Sequence, residues 1–153
     1  MRVTTDRDDP RLTKGVDTEP RPMAEVYLVL SEEERARGFV RPLRRSYVHV
    51  GPAGPKHPTV PLTPEQREAY AGVGYVCFER YPEGGSLIGR YWTQVQLDDA
   101  GEGCCEHTTM GDALCETYAR DPGFYGATYC SGCEMHRPVN EFLWTEDGHR
   151  VGT

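Results

Sequence analysis

Two short stretches with metal-ligand spacing constrain this chain more than any other feature of its sequence. CCEH at residues 104–107 precedes a helix-forming segment, and CSGC at residues 130–133 follows it. Two ligands separated by two residues can bind one ion, because a tight turn brings their side chains together. Zinc takes four thiolate or imidazole ligands in a tetrahedron. The sequence therefore predicts one zinc site built from both stretches.

The predicted zinc ligands are Cys104, His107, Cys130 and Cys133. The helix-forming segment between the two stretches spans about 16–18 Å at about 1.5 Å per residue. The extended residues after it are numerous enough to run back along the helix, so both stretches can meet at its N-terminus. Two alternatives stay open. Cys105 is an alternative to its neighbour Cys104, and His136, three residues after the last cysteine, is an alternative to His107.

The two stretches suit a structural zinc ion better than a catalytic one. Catalytic zinc keeps an open position and works with a general base, for which Glu106 and Glu134 are the candidates. The chain contains neither the H-E-x-x-H pattern of zinc proteases nor the H-x-E and P-C-x-x-C pattern of zinc deaminases. We therefore predict a non-enzymatic protein, with a zinc-dependent hydrolase as the weaker alternative. The remaining cysteines, Cys77 and Cys115, lie among apolar residues and are predicted to be core residues.

The composition is that of a small domain that needs additional stabilisation. The chain has 153 residues with 17 glycines, 12 prolines and a mean hydropathy of −0.64. A structural metal is a common source of stability in such chains. No apolar run is long enough for a membrane-spanning helix, and the N-terminus lacks the apolar centre of a secretory signal. The sequence therefore predicts a cytosolic protein whose cysteines bind metal rather than form disulfides.

Composition also predicts the domain organisation. Residues 1–22 are polar and charged, so we expect an N-terminal arm that is disordered by itself. Residues 23–153 are predicted to form a single zinc-stabilised domain, with the zinc element at residues 103–145.

The order of predicted elements indicates the fold class. Strands are predicted from β-branched, apolar or alternating residues at 24–30, 45–50, 75–81, 86–98 and 141–145. Helices are predicted from capping patterns after Ser31, after Thr63 and over 108–122, with Thr109 as the cap of the last. This is an α+β pattern, with a small mixed or antiparallel sheet, short helices and a C-terminal zinc knuckle of the ribbon or treble-clef-like type.

Charge is distributed unevenly along the chain, whose net charge is −7. Residues 31–60 hold six Arg or Lys against three Glu, whereas residues 98–153 hold three Arg against eleven acidic residues. The acidic half argues against broad contact with nucleic acid. The basic stretch around Arg41, Arg44 and Arg45 is the candidate contact for phosphate or for an acidic protein surface. We therefore expect a protein partner, with nucleic-acid binding as the alternative.

The stretch YCSGCEMHRPVNEF at residues 129–142 resembles the zinc knuckle of some phage HNH-type endonucleases. It shares C-x-x-C, a proline a few residues later, an apolar residue and Glu-Phe. Nothing after Trp144 supplies the paired His and Asn catalytic motif of those enzymes. The resemblance therefore implies zinc binding and says little for nuclease activity, and an HNH-like hydrolase stays with the zinc-dependent hydrolase as the weaker alternative.

A wider resemblance covers residues 27–49 and most of residues 108–148. Together these stretches resemble a family of small, uncharacterised proteins of bacteriophages and prophages. The resemblance implies a viral or prophage origin and a phage-encoded accessory role. We predict that the protein acts in this role by binding a host, defence or virion protein. This role places the protein in the host cytoplasm or in the virion.

Overall fold

The computed structural model describes residues 2–12, 26–81 and 88–153. Their contacts divide the chain into two compact units. The first unit comprises Met1–Gly51 and Gly103–Thr153, and the second comprises Pro52–Glu102. Met1 and residues 13–22 of the predicted arm, residues 24 and 25 of the first predicted strand, and residues 86 and 87 of the fourth lie outside the described residues.

The elements are short and mix strands with helices, which confirms the predicted α+β class. In chain order they are β1 (Arg2–Thr4), β2 (Val26–Leu28), α1 (Glu32–Ala36), β3 (Ser46–His49), β4 (Thr59–Pro61), α2 (Pro64–Ala69), β5 (Tyr75–Arg80), β6 (Ile88–Thr93), α3 (Gln94–Asp99), β7 (His107–Thr109), α4 (Asp112–Arg120), β8 (Ala127–Cys130), β9 (Met135–Pro138) and β10 (Phe142–Trp144). A single 3₁₀ turn, Val139–Glu141, stands between β9 and β10.

The first unit is built on three small sheets. Strand β3 is central, with β10 and β7 antiparallel on its two sides. Strands β8 and β9 form an antiparallel hairpin. Strands β1 and β2 pair in parallel, and Leu12 is buried in the core at 8% exposure. Residues 2–4 of the predicted arm thus pair with the first unit, because β2 offers a strand edge to β1.

An aromatic core holds the first unit together. Tyr47 of β3 lies 5.1 Å from Phe142 and 6.0 Å from Trp144, both on β10, in edge-to-face contacts between ring centroids. Tyr118 of α4 contacts Trp144 in the same way. Cys115 is buried on the same helix, as predicted for a core residue. Such ring pairs stabilise a core beyond the area they bury.

The start of α4 differs from the prediction. Gly111 is its N-cap residue and makes no capping hydrogen bond through a side chain. Thr109, the predicted cap, lies instead in β7 opposite Ser46 of β3. Pairing with β3 thus places Thr109 in a strand, although its local sequence pattern predicts a helix cap.

The second unit is a three-stranded antiparallel sheet, in the order β4-β5-β6, with α2 and α3. Thr63 caps α2 through the predicted capping box. The predicted strand over residues 86–98 is wrong after Thr93, because Thr93 and Gln96 form a second capping box and start α3 there. Cys77 is buried as predicted, beside Trp92 of β6. Within the described ranges, no helix is long and apolar enough to cross a membrane.

The chain leaves the first unit and returns to it at closely spaced points. Gly51 has a φ of +83°, which favours glycine. A Cβ at Gly103 would lie 2.6 Å from the Gly51 nitrogen and 2.4 Å from the His49 carbonyl oxygen, so the two segments approach too closely for any larger residue. We call these two segments, residues 49–51 and Gly103, the stem. Beside it, the N–H of Cys105 donates to the same His49 carbonyl at 2.9 Å.

Candidate metal centre

Four metal-ligating side chains converge next to the stem. Their ligand atoms, all within 4.8 Å of one another, belong to His49, Cys104, Cys130 and Cys133. The His49 Nδ1 lies 3.4 Å from the Cys104 sulfur and 3.4 Å from the Cys133 sulfur. The Cys104 and Cys130 sulfurs are also 3.4 Å apart.

The four residues come from three separate segments of the first unit. His49 ends β3, and Cys104 follows Gly103 of the stem. Cys130 ends β8, and Cys133 lies in the turn that leads to β9. The backbone N–H of Cys133 points at the Cys130 sulfur at 3.4 Å, so the turn folds around that sulfur. The site therefore links the central sheet to the β8–β9 hairpin.

Gly132 allows the second turn to approach the first cysteine. A Cβ at this position would lie 2.8 Å from the Cys104 sulfur, 2.6 Å from the Glu106 Cβ and 2.5 Å from the Glu106 Cγ. Real Cβ contacts are essentially never shorter than 3.0 Å. The middle of the turn therefore has no room for a side chain, which makes glycine a requirement of the site.

Ser131 attaches the same turn to β7. Its backbone N–H donates to the Thr108 Oγ1 at 3.0 Å, and its hydroxyl donates to the His107 carbonyl at 3.1 Å. The segment after Cys104 thus contributes to the site through backbone and hydroxyl groups.

The structure brings together three of the four predicted ligands, Cys104, Cys130 and Cys133. His107 is not among them, and its place is taken by His49. The physical reason is that His107 begins β7, opposite Val48, so its position is set by pairing with β3 and not by a turn shared with Cys104. The His107 side chain is exposed.

Neither alternative ligand belongs to the cluster. Cys105 is exposed, with a φ of +61°, and its thiol lies 3.9 Å from the Gly103 carbonyl oxygen. His136 lies on β9, where its ring packs edge-to-face against Tyr129 at 5.7 Å. The candidate bases Glu106 and Glu134 are both exposed.

Sequence spacing could not reveal His49, because it stands 55 residues before Cys104. The second unit occupies nearly all of that interval. One local signal was present, however. Alternation along β3 puts Tyr47 and His49 on one face, and the structure buries that face, leaving His49 only 2% exposed. A histidine on the buried face of a strand requires polar partners.

The second nitrogen of His49 has such a partner. Its Nε2 lies 2.9 Å from the Glu141 Oε1, and the carboxylate is 5% exposed. Arg137 donates to the same oxygen from Nη2 at 2.9 Å and from Nε at 3.3 Å. The ring therefore stands between the sulfur cluster and a buried, paired carboxylate.

The three thiols differ in acidity because they share one small volume. Burial would raise the pKa of Cys104, but hydrogen bonds from the Glu106 backbone, His49 and the other two thiols lower it to about 7. Burial raises the pKa of Cys133 to about 12, and the two neighbouring cysteines add to that rise. Burial also raises the pKa of Cys130. Without an ion, the cluster thus favours one thiolate over three.

The separations between the four ligand atoms fit tetrahedral coordination of one metal ion. Zinc bonds of about 2.3 Å to sulfur and about 2.0 Å to nitrogen place tetrahedral ligand atoms about 3.5–3.8 Å apart. The observed separations of 3.4 Å and the upper limit of 4.8 Å are close to this spacing. The cluster could therefore bind one metal ion, as predicted for this part of the chain. Three sulfurs and one imidazole favour a soft or borderline metal over a hard cation such as magnesium.

The basic stretch does not present three equivalent arginines. Arg44 is only 4% exposed, lies 3.4 Å from an Asp147 carboxylate oxygen and stacks over Trp144. Arg45 pairs with Asp112. Arg41 and Arg45 are both exposed, but among the described residues only Arg41 of the two lacks a carboxylate partner.

Comparison with known proteins gives no relative for this chain: no family model, curated protein or solved structure matches it.

Proposed function

We propose that the protein binds a zinc ion through His49, Cys104, Cys130 and Cys133, and that the ion is structural. The convergence of these four side chains carries the proposal. Four protein ligands complete a tetrahedron and leave no position for water or substrate, which disfavours the hydrolase alternative. Glu141 is engaged by His49 and Arg137, and the acidic residues beside the cysteines are exposed.

The location of the site supports a structural role. The ion would join β3, the stem and the β8–β9 hairpin, which are distant in sequence. Metal binding to such a site contributes directly to folding free energy, because the unfolded chain has no preformed site. The arrangement is thus suited to holding the first unit together.

Two histidine variants test the ligand set. We expect His49→Ala to lose stoichiometric zinc, measured by metal analysis of the purified protein, and to lower the thermal unfolding temperature of the zinc-loaded chain. His107→Ala is the matched control, because that side chain is exposed and outside the cluster. Zinc retained by His49→Ala and lost by His107→Ala would refute the assignment.

We propose further that the protein is non-enzymatic and acts by binding another protein. An exposed apolar surface on the loop at residues 37–43 supports this role. Its exposed large side chains are Phe39, Val40 and Leu43. Within the described part of the chain, neither Arg37 nor Arg41 beside them contacts a carboxylate. Apolar side chains rimmed by positive charge suit an acidic protein surface.

Hydrogen bonds to α4 hold this loop in place. The backbone N–H groups of Val40 and Arg41 both donate to the Ala119 carbonyl at 2.8 Å. Arg120 donates to the Gly38 carbonyl, also at 2.8 Å. A preorganised loop loses little conformational entropy when it binds.

A phage-encoded accessory role, in the host cytoplasm or the virion, is also part of this proposal. It rests on the resemblance of residues 27–49 and of most of residues 108–148.

Affinity capture tests the partner role. We expect the double variant Phe39→Ser, Leu43→Ser to lose a host or virion protein that the unchanged chain retains. Val73→Ser, an exposed position in the second unit, is the control. Equal capture by all three would remove the loop from the proposal.

Nucleic-acid binding is the less supported alternative. Arg44 is buried and the exposed Arg45 is paired with Asp112, which leaves Arg41 as the exposed arginine of the three without a carboxylate partner among the described residues. Retention of DNA or RNA at low salt, falling steeply as salt rises, would favour this alternative.

A further inference from the structure

The two nitrogens of the His49 ring face opposite chemical environments. Nδ1 faces the sulfurs of Cys104 and Cys133, each at 3.4 Å. Nε2 faces the carboxylate of Glu141 at 2.9 Å. An ionised carboxylate only accepts hydrogen bonds, so the nitrogen that faces it must carry the proton. In a neutral imidazole the other nitrogen then has a free lone pair, which is the form that binds a metal.

We propose that Glu141 is a positioning residue that holds the His49 ring protonated at Nε2 and leaves Nδ1 as the metal ligand. This inference rests on the proposed zinc function and specifies how the imidazole takes part in it. A carboxylate in this position fixes both the tautomer and the orientation of a ligating histidine.

The backbone around Glu141 supports this role. Its carbonyl accepts from the N–H of Val50 at 2.9 Å and from the N–H of Gly51 at 3.0 Å. One residue therefore holds the end of β3 through its backbone and the His49 ring through its side chain. The ring of Phe142, the next residue, packs against the same imidazole at 4.8 Å. The imidazole has little freedom to turn over.

Arg137 offsets the free-energy cost of burying the Glu141 carboxylate. A buried, unpaired carboxylate would be protonated or would disrupt the fold, because burial disfavours the charged form. The guanidinium donates twice to the Oε1 that faces His49, and it is itself only 33% exposed. It thus pairs with the same carboxylate oxygen that faces the imidazole.

The first test is direct and needs no variant. In the zinc-loaded protein with ¹⁵N-labelled histidine, long-range ¹H–¹⁵N correlation spectra distinguish a protonated ring nitrogen from a metal-bound one. We expect the His49 Nε2 to be protonated and Nδ1 to be metal-bound. The opposite assignment, with zinc on Nε2, overturns the inference.

The second test measures zinc affinity by competition with a chromophoric chelator. Glu141→Gln keeps an oxygen that can accept from Nε2, whereas Glu141→Leu removes the acceptor. Partners of this kind contribute about 10- to 100-fold to metal affinity. We expect a loss near the lower end of that range for Glu141→Gln and near the upper end for Glu141→Leu. Glu106→Gln is the matched control, because it removes the same charge from an exposed position near the cluster.

The possible outcomes distinguish failure of this inference from failure of the proposed zinc function. If the unchanged protein binds no zinc, the proposed function fails and this inference fails with it. If it binds zinc and both Glu141 variants bind as tightly as Glu106→Gln, only the positioning role is refuted. If Glu141→Leu does not fold, Glu141→Gln and the tautomer assignment still decide the question.

Discussion

The site is tested most directly at Gly132, because three distances show how little space a side chain would have there. The substitution Gly132→Ala adds one Cβ, which would lie 2.5 Å from the Glu106 Cγ, 2.6 Å from its Cβ and 2.8 Å from the Cys104 sulfur. Ordinary van der Waals contact begins at 3.4 Å. The turn and the segment with Cys104 must therefore separate by about 0.6–0.9 Å, whereas ligand distances in a metal site tolerate only about 0.2 Å.

The expected magnitude follows from the cost of overpacking. Forcing an extra carbon into a close-packed site costs about 1–3 kcal/mol. The metal-free protein can relieve the clash by opening the turn, but the zinc-bound protein cannot. The strain therefore falls on zinc affinity, and at about 1.4 kcal/mol per tenfold change it weakens binding about 5- to 150-fold.

Competition with a chromophoric chelator at pH 7 measures this change. Gly123→Ala is the matched control, because a Cβ there meets nothing within 4 Å. Glu106→Gly in the Gly132→Ala background should restore part of the affinity, since it removes two of the three close contacts. Unchanged affinity in Gly132→Ala, relative to Gly123→Ala, would show that the turn does not approach Cys104 as described.

Two further predictions concern the cysteines. Cys130 and Cys133 have raised pKa values, about 12 for the latter, whereas that of Cys104 is about 7. Zinc binding at pH 7 should therefore release about two to three protons, so affinity rises about 100-fold or more per pH unit. Calorimetry in buffers of different ionisation enthalpy measures this number, and release of fewer than two protons would contradict a three-thiolate site. Cys105→Gly should keep zinc stoichiometry and raise the free energy of unfolding by up to about 1 kcal/mol, because a φ of +61° strains a residue with a Cβ. Denaturant unfolding and metal analysis check this result, and lost zinc would make Cys105 a ligand.

The parts of the fold that could be predicted are those determined by neighbouring residues. The capping boxes that begin with Ser31 and Thr63 start helices where expected, because each box satisfies its own backbone N–H groups locally. The box at Thr93 was equally local, but the apolar alternation before it favoured a longer strand. The cap of α4 could not be predicted, because Thr109 pairs with a strand more than sixty residues away in sequence.

The same distinction between neighbouring residues and distant strand pairing applies to the site. Cys130 and Cys133 share one turn, so their spacing alone predicts that they act together. Spacing could not separate Cys104 from Cys105, and the structure places Cys104 in the cluster. His49 could not be predicted from spacing, because its approach to the cysteines depends on the pairing of β3 with β7 and β10. Tertiary pairing places His49 in the cluster, at the position that local sequence had assigned to His107.

The stem has a consequence for the order in which the parts form during synthesis. The second unit is continuous in sequence, whereas the first is completed only when residues after Gly103 follow it. His49 precedes Cys133 by 84 residues, which a ribosome adds in about 4–17 s at about 5–20 residues per second. Strand β7 is made only in the last third of that interval, and β10 only after it, so β3 lacks both partners for most of that time. We therefore expect the inserted second unit to fold first on the ribosome, and metal capture to be among the last events of biogenesis.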